Sequence, residues 1–168
     1  KLIDLKDSIL SPGFVNAHCH LDYQEFKGVI PPQKSFTEWI KKINALKNDF
    51  SNQDYCEAIH HGYQDLLKTG TTTVLNIAAM PEVFPYLTPP PLRVWWFMEM
   101  VDIRSRLSTE EALIGFFFLL ERTKKWLGGV GLSPHAPYTA SSGLYRHVRR
   151  CADSTNMLGS TPLAESRE

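Results

Sequence analysis

Residues 93–101 read RVWWFMEMV, with apolar side chains on both of the faces that alternate along an extended chain. A strand of that kind must be covered on each side, which is the condition met in parallel sheets flanked by helices. Parallel strands need long crossovers, so the neighbouring segments should be helical. Ser35-Phe36-Thr37-Glu38 has the form of a capping box, followed by Trp39, Ile40, Ile43 and Leu46 at helical spacing. Residues 52–69 predict a second helix, with Tyr55, Ile59, Tyr63, Leu66 and Leu67 on its apolar face and Gly70 as its stop. Ser108-Thr109-Glu110-Glu111 offers another capping box for a helix reaching about Leu127, and residues 141–155 predict the last helix. Strands are predicted at 14–17, at the β-branched 71–77, at 130–133 and, more weakly, at 157–161. The proline-rich stretch 81–91 is a loop.

This alternation points to an α/β fold of parallel βα units with right-handed crossovers. An open doubly wound sheet and a closed (β/α) barrel share the pattern. No glycine-rich phosphate loop comes after the first strand to favour the nucleotide-binding version; histidine occupies that place instead.

Eighteen basic residues are matched by eighteen acidic ones, so no net field favours nucleic acid or an anionic membrane, and a small-molecule partner is expected. The longest apolar stretches, 94–101 and 112–120, fall short of the roughly 20 residues a membrane span needs. Cys19, Cys56 and Cys151 are odd in number and lack metal-knuckle spacing, which argues for a reducing cytoplasm. The sequence opens without methionine and closes without a stop signal, so both ends read as cuts.

Three segments carry candidate chemistry. In Pro12-Gly13-Phe14-Val15-Asn16-Ala17-His18-Cys19-His20-Leu21-Asp22, positions i and i+2 of a strand share a side. His18 and His20 would therefore project together while Cys19 faces away. Two imidazoles about 6–7 Å apart along the backbone can converge on one ion, although the same pattern also describes two satisfied or exposed histidines. His135 lies between Pro134 and Pro137 after the 130–133 strand, either in a stiffened functional turn or in a structured loop. Glu165 comes after the last strand, where an acidic side chain also suits a solvated helix start. Consecutive His60 and His61 sit about 100° apart around a helix and are poor chelators. His147 falls in a basic face with Arg146, Arg149 and Arg150, and Cys56 suits core packing. Trp39, Asn76, Glu99 and Asp102 suit either a pocket mouth or core and capping roles.

Together PGFVNAHCHLD, GTTTVLNIA and GLSPHAPYTAS…LAESRE resemble the amidohydrolase superfamily, from about Ser11 onward. The branch they resemble contains cytosine deaminase, adenosine and S-adenosylhomocysteine deaminases, and triazine chlorohydrolases. The resemblance implies a distorted (β/α)8 TIM-type barrel, of which this chain holds roughly the first five βα units. It also implies that residues 1–10 are the remnant of a small N-terminal β-domain and 11–168 a partial barrel domain. His18 and His20 match the first two ligands of one divalent metal, zinc ahead of iron. His135 matches a substrate contact, and Glu165 a carboxylate that shuttles a proton from metal-activated water to the leaving group. The implied reaction is hydrolytic loss of ammonia, an amine or halide from a ring or amide carbon of a small molecule, in a cytoplasmic protein, alone or as a homo-oligomer.

The pattern is broken at Pro162, which stands where the superfamily has a third histidine ligand. Proline offers no ligating atom and weakens a strand. Two of the expected ligands remain, whereas catalytic zinc keeps three protein ligands and water. The expectation is weak or absent metal binding and no turnover by this polypeptide alone, from a truncated chain, an incomplete gene record or a frameshift near Gly159. The rival readings are a non-catalytic barrel descendant that binds a ligand or partner, and an open doubly wound domain without metal.

Overall fold

The computed structural model describes residues 2–103 and 109–164. Five parallel strands, β1 (Phe14–Cys19), β2 (Thr71–Ala78), β3 (Arg93–Met100), β4 (Gly128–Pro134) and β5 (Leu158–Gly159), form one sheet in chain order. Among the described residues four α-helices connect them: α1 (Phe36–Lys47), α2 (Asn52–Lys68), α3 (Thr109–Thr123) and α4 (Ser142–Thr155). The sheet curls into a half-barrel, as expected of the first five βα units. Residues 2–13 belong to no helix or strand, and the expected capping box at Ser108 lies outside the described residues.

The two faces of the sheet are built differently. Val74, Val94, Trp96 and Met98 point outward and join Tyr55, Ile59 and Tyr63 of α2 in the core. On the inner face, a Cβ added at Gly129 or Gly131 would come within 2.5 Å of the Trp95 or Phe97 ring. Glycines on β4 thus make room for aromatics on β3, the small-against-large filling that barrel interiors use.

Two short 3-10 helices, Leu21–Phe26 and Pro81–Tyr86, were not legible in the sequence. The second lies in the expected proline-rich loop and buries Val83 and Phe84. Helix α2 carries a reciprocal capping box in which the Ser51 N–H donates to the Asp54 carboxylate at 2.7 Å and the Asp54 N–H donates to Ser51 Oγ at 3.3 Å. At α1 the Glu38 N–H donates to Ser35 Oγ at 3.1 Å. Helix α3 stops at Thr123, short of the expected Leu127, and Leu127 instead passes its carbonyl to the Val94 N–H. Strand β5 is only two residues long, and its ladder ends with the Ser160 N–H donating to Leu132 O, two residues before Pro162. That is the local weakening expected of proline there.

Candidate functional site

The carboxyl ends of β1, β3 and β4 gather the candidate side chains at one end of the sheet. Cys19 packs against the core, while His18 at the end of β1 and His20 just past it bring their rings side by side. Their ring centroids are 5.3 Å apart and inclined at 72°. The turn after them is anchored from β2: the Leu21 N–H donates to Asn76 Oδ1 at 2.8 Å in a fully buried setting. Asn76 is therefore a buried anchor of the turn that follows the two histidines.

His20 is the better buried of the pair. Burial, reinforced by the charges of His18, Lys47 and His135, pushes its pKa down to about 3, so its imidazole is neutral at physiological pH. A backbone hydrogen bond with Ile77 opposes the shift, and among the described residues the buried Nδ1 has no hydrogen-bond partner. Asp22 is buried as well, and burial together with the Glu99 charge raises its carboxyl to about 7, against the Ala79 N–H that donates to Oδ2 at 3.2 Å. Lys47 reaches the same place from the end of α1, with Nζ 4.4 Å from the Tyr23 ring centroid. Burial lowers its pKa while Glu99 and Asp22 oppose the shift.

His135 comes after β4 in a loop stitched to the end of β3. Its N–H donates to Met100 O at 2.9 Å, and the Asp102 and Ile103 N–H groups donate to Thr139 O. Its Nδ1 is 2.7 Å from Thr139 Oγ1, and its Nε2 lies 3.9 Å from Glu99 Oε1. Glu99 stands opposite Ser133 in the β3–β4 register, on the inner face with Trp95 and Phe97. The structure thus brings His18, His20 and His135 to one end of the sheet, close enough for their charges to interact. Glu165 lies outside the described residues. Pro162 is half-buried after β5 and brings no donor atom.

The remaining candidates take structural roles. His61 pairs with Glu25 at 2.6 Å, and His147 Nε2 meets Cys151 Sγ at 3.5 Å on α4. Asp102 accepts hydrogen bonds from the Ser141 N–H and Oγ–H at the start of α4. Trp39 stacks on Phe36. Asp22, Tyr23 and Lys47 are the residues that sequence reasoning passed over. The available signal was Lys47 itself, four residues after the buried Ile43 and hence on the inward stripe of α1.

A divalent cation can be tested against this donor set. Two neutral-capable imidazoles side by side, one with a buried unpartnered nitrogen, suit zinc or iron as two of its ligands. Among the described residues, no group of three or more His, Cys, Asp or Glu side chains is arranged to hold a metal. The residues present therefore fit part of a ligand shell. Among the described residues, no helix is long and apolar enough to cross a membrane.

Several known proteins resemble this chain in sequence or fold. A 5'-deoxyadenosine deaminase of Methanobrevibacter smithii is 31% identical over 162 residues, covering 93% of this chain and 37% of that protein. An adenosine deaminase from Xanthomonas campestris, solved with bound zinc, superposes with a TM-score of 0.74 at 22% identity, over 93% of this chain and 37% of that one. Guanine deaminase from C. acetobutylicum, solved with bound guanine, superposes with a TM-score of 0.82 at 18% identity, over 98% of this chain and 42% of that one. The chain thus spans about two fifths of the length of these proteins. The sequence pattern of the Amidohydrolase family matches residues 9–168, all but the first eight positions, and the chain belongs to that family.

Proposed function

We propose that this chain carries part of a metal-dependent hydrolase that removes ammonia, an amine or halide from a ring or amide carbon of a small nitrogen-containing molecule. The observation that carries the reading is the His18–His20 pair at the carboxyl end of β1, with a neutral His20 whose Nδ1 is buried and unpartnered. Family membership supports it, as do the deaminase activity named for the Methanobrevibacter relative and the zinc of the Xanthomonas structure.

In this reading His18 and His20 are metal ligands, with zinc ahead of iron as the ion. When bound, the cation supplies Lewis acidity that makes water a nucleophile near neutral pH. His135, fixed by Thr139 and the Met100 carbonyl, presents its Nε2 side to substrate. Glu165 carries the proton between water and the leaving group. Residues 11–168 are the barrel portion and 1–10 the end of a small β-domain. The protein is cytoplasmic, acts on a small molecule, and works alone or as a homo-oligomer.

Pro162 and the two-residue β5 favour a second reading, a non-catalytic barrel descendant that binds a ligand or partner. Metal analysis of the full-length protein, combined with ammonia release from aminopurine nucleosides and guanine, separates the two. The hydrolase reading expects stoichiometric metal and release that both fall in His18→Ala and His20→Ala. Metal content indifferent to both substitutions, with no release, refutes it.

A further inference from the structure

The Tyr23 ring lies almost parallel to the His20 imidazole, at 5.0 Å between centroids and 5° between planes. The stack continues to Phe26 at 5.6 Å and 23°, and Phe26 meets Phe50 edge-on at 4.8 Å. Over Tyr23 sits the ammonium of Lys47, 4.4 Å from the ring centroid. Lys47 occupies the last position of α1, four residues beyond the buried Ile43, so its stem runs along the apolar stripe of the helix inward. Burial lowers the pKa of this ammonium, and the nearby acidic groups Glu99 and Asp22 oppose that shift.

An imidazole lying flat on another ring cannot swing about its Cβ–Cγ bond without giving up that contact. The cation in turn draws the tyrosine face toward itself through the ring quadrupole. The geometry points to Tyr23 and Lys47 as positioning residues that fix the ring plane of His20, and with it the direction in which its unpartnered Nδ1 is presented to a divalent cation. Neither side chain is a ligand or a catalytic residue. Their effect is preorganisation, which raises affinity by removing a freedom that binding would otherwise have to freeze. The Lys47 side chain thereby links helix α1 to the ring stacked on His20.

This inference rests on the reading of His18 and His20 as a ligand pair, and the test separates the two. Co2+ is the probe, titrated into the full-length protein and read by chelator competition and by its visible absorption bands. Lys47→Arg keeps a cation and Tyr23→Phe keeps a ring, so both should bind Co2+ within about twofold of the parent protein. Lys47→Met and Tyr23→Leu should bind about three- to tenfold more weakly, with shifted absorption bands.

His20→Ala is run alongside. If it leaves Co2+ binding unchanged, the ligand-pair reading fails. If it abolishes binding while Lys47→Met and Tyr23→Leu keep the parent's affinity and spectrum, the positioning role fails alone. A metal-free readout covers the case in which Tyr23→Leu does not fold: the ring-proton shifts of His20 by NMR in Lys47→Met. Displacement of those shifts from the parent's supports the stack as the orienting device, and identical shifts overturn it.

Discussion

Replacing Asn76 by leucine tests whether the turn after the histidine pair is held from β2. Asn76 is fully buried, and its Oδ1 receives the Leu21 N–H at 2.8 Å. Leucine keeps the branching and number of side-chain heavy atoms, so the substitution removes the acceptor, and its bulkier methyl groups can only add to the loss at this buried site. The Leu21 N–H then stays buried without a partner, at a cost of about 1–3 kcal/mol. Part of that is returned, because Asn76 Nδ2 is itself buried and unpartnered in the parent protein and disappears with the side chain. The net loss works out at about 1–2 kcal/mol, a five- to thirtyfold fall in the folding equilibrium. Urea denaturation should show a lower midpoint at an unchanged slope. Amide exchange at Leu21 should accelerate more than that at Val74 on the same strand as Asn76. A midpoint equal to the parent's, with Leu21 still protected, would refute the anchoring role.

Features outside the site give further testable outcomes. Gly131→Ala would put a Cβ 2.5 Å from Phe97 Cε1 and 2.8 Å from Leu158 O, so overpacking of about 1–3 kcal/mol is expected by denaturant titration. Ser51→Ala removes one half of the α2 capping box and should cost about 1 kcal/mol, measured the same way. The Ser141 hydroxyl and N–H hold the Asp102 carboxyl below the usual carboxylate range. A lowered folded-state pKa means this contact stabilises above the ordinary carboxylate pKa and is lost as pH falls through the lowered value. The Ser141 amide resonance should therefore titrate in that acid window in the parent protein and lose the transition in Asp102→Asn.

Much of the architecture was legible because it rests on patterns repeated along the chain. The doubly apolar 93–101 run implied a strand buried on both sides, and β3 is one. The period of Tyr55, Ile59 and Tyr63 gave the buried face of α2. The i, i+2 rule predicts His18 and His20 on one side and Cys19 on the other; Cys19 packs against the core and the two imidazole rings lie 5.3 Å apart. The 3-10 helix at Leu21–Phe26 escaped because a single tight turn has no period, and its stability comes from Asn76, 55 residues away. The α2 capping box escaped because aspartate at Asp54 replaces the glutamate or glutamine of the usual pattern. The inward roles of Asp22 and Lys47 escaped for a related reason. Each looks like a solvated residue locally and becomes an interior one only when three separate elements close around it.

Strand order equal to chain order has a consequence for biosynthesis. Each strand hydrogen-bonds to the one made immediately before it, so every βα unit leaving the ribosome meets a template that already exists. Loop closure is then confined to one crossover at a time, and the entropy of joining distant segments is never incurred in a single step. Assembly can proceed like a ratchet, with Gly129 and Gly131 admitting the Trp95 and Phe97 rings only once β3 is in place to present them.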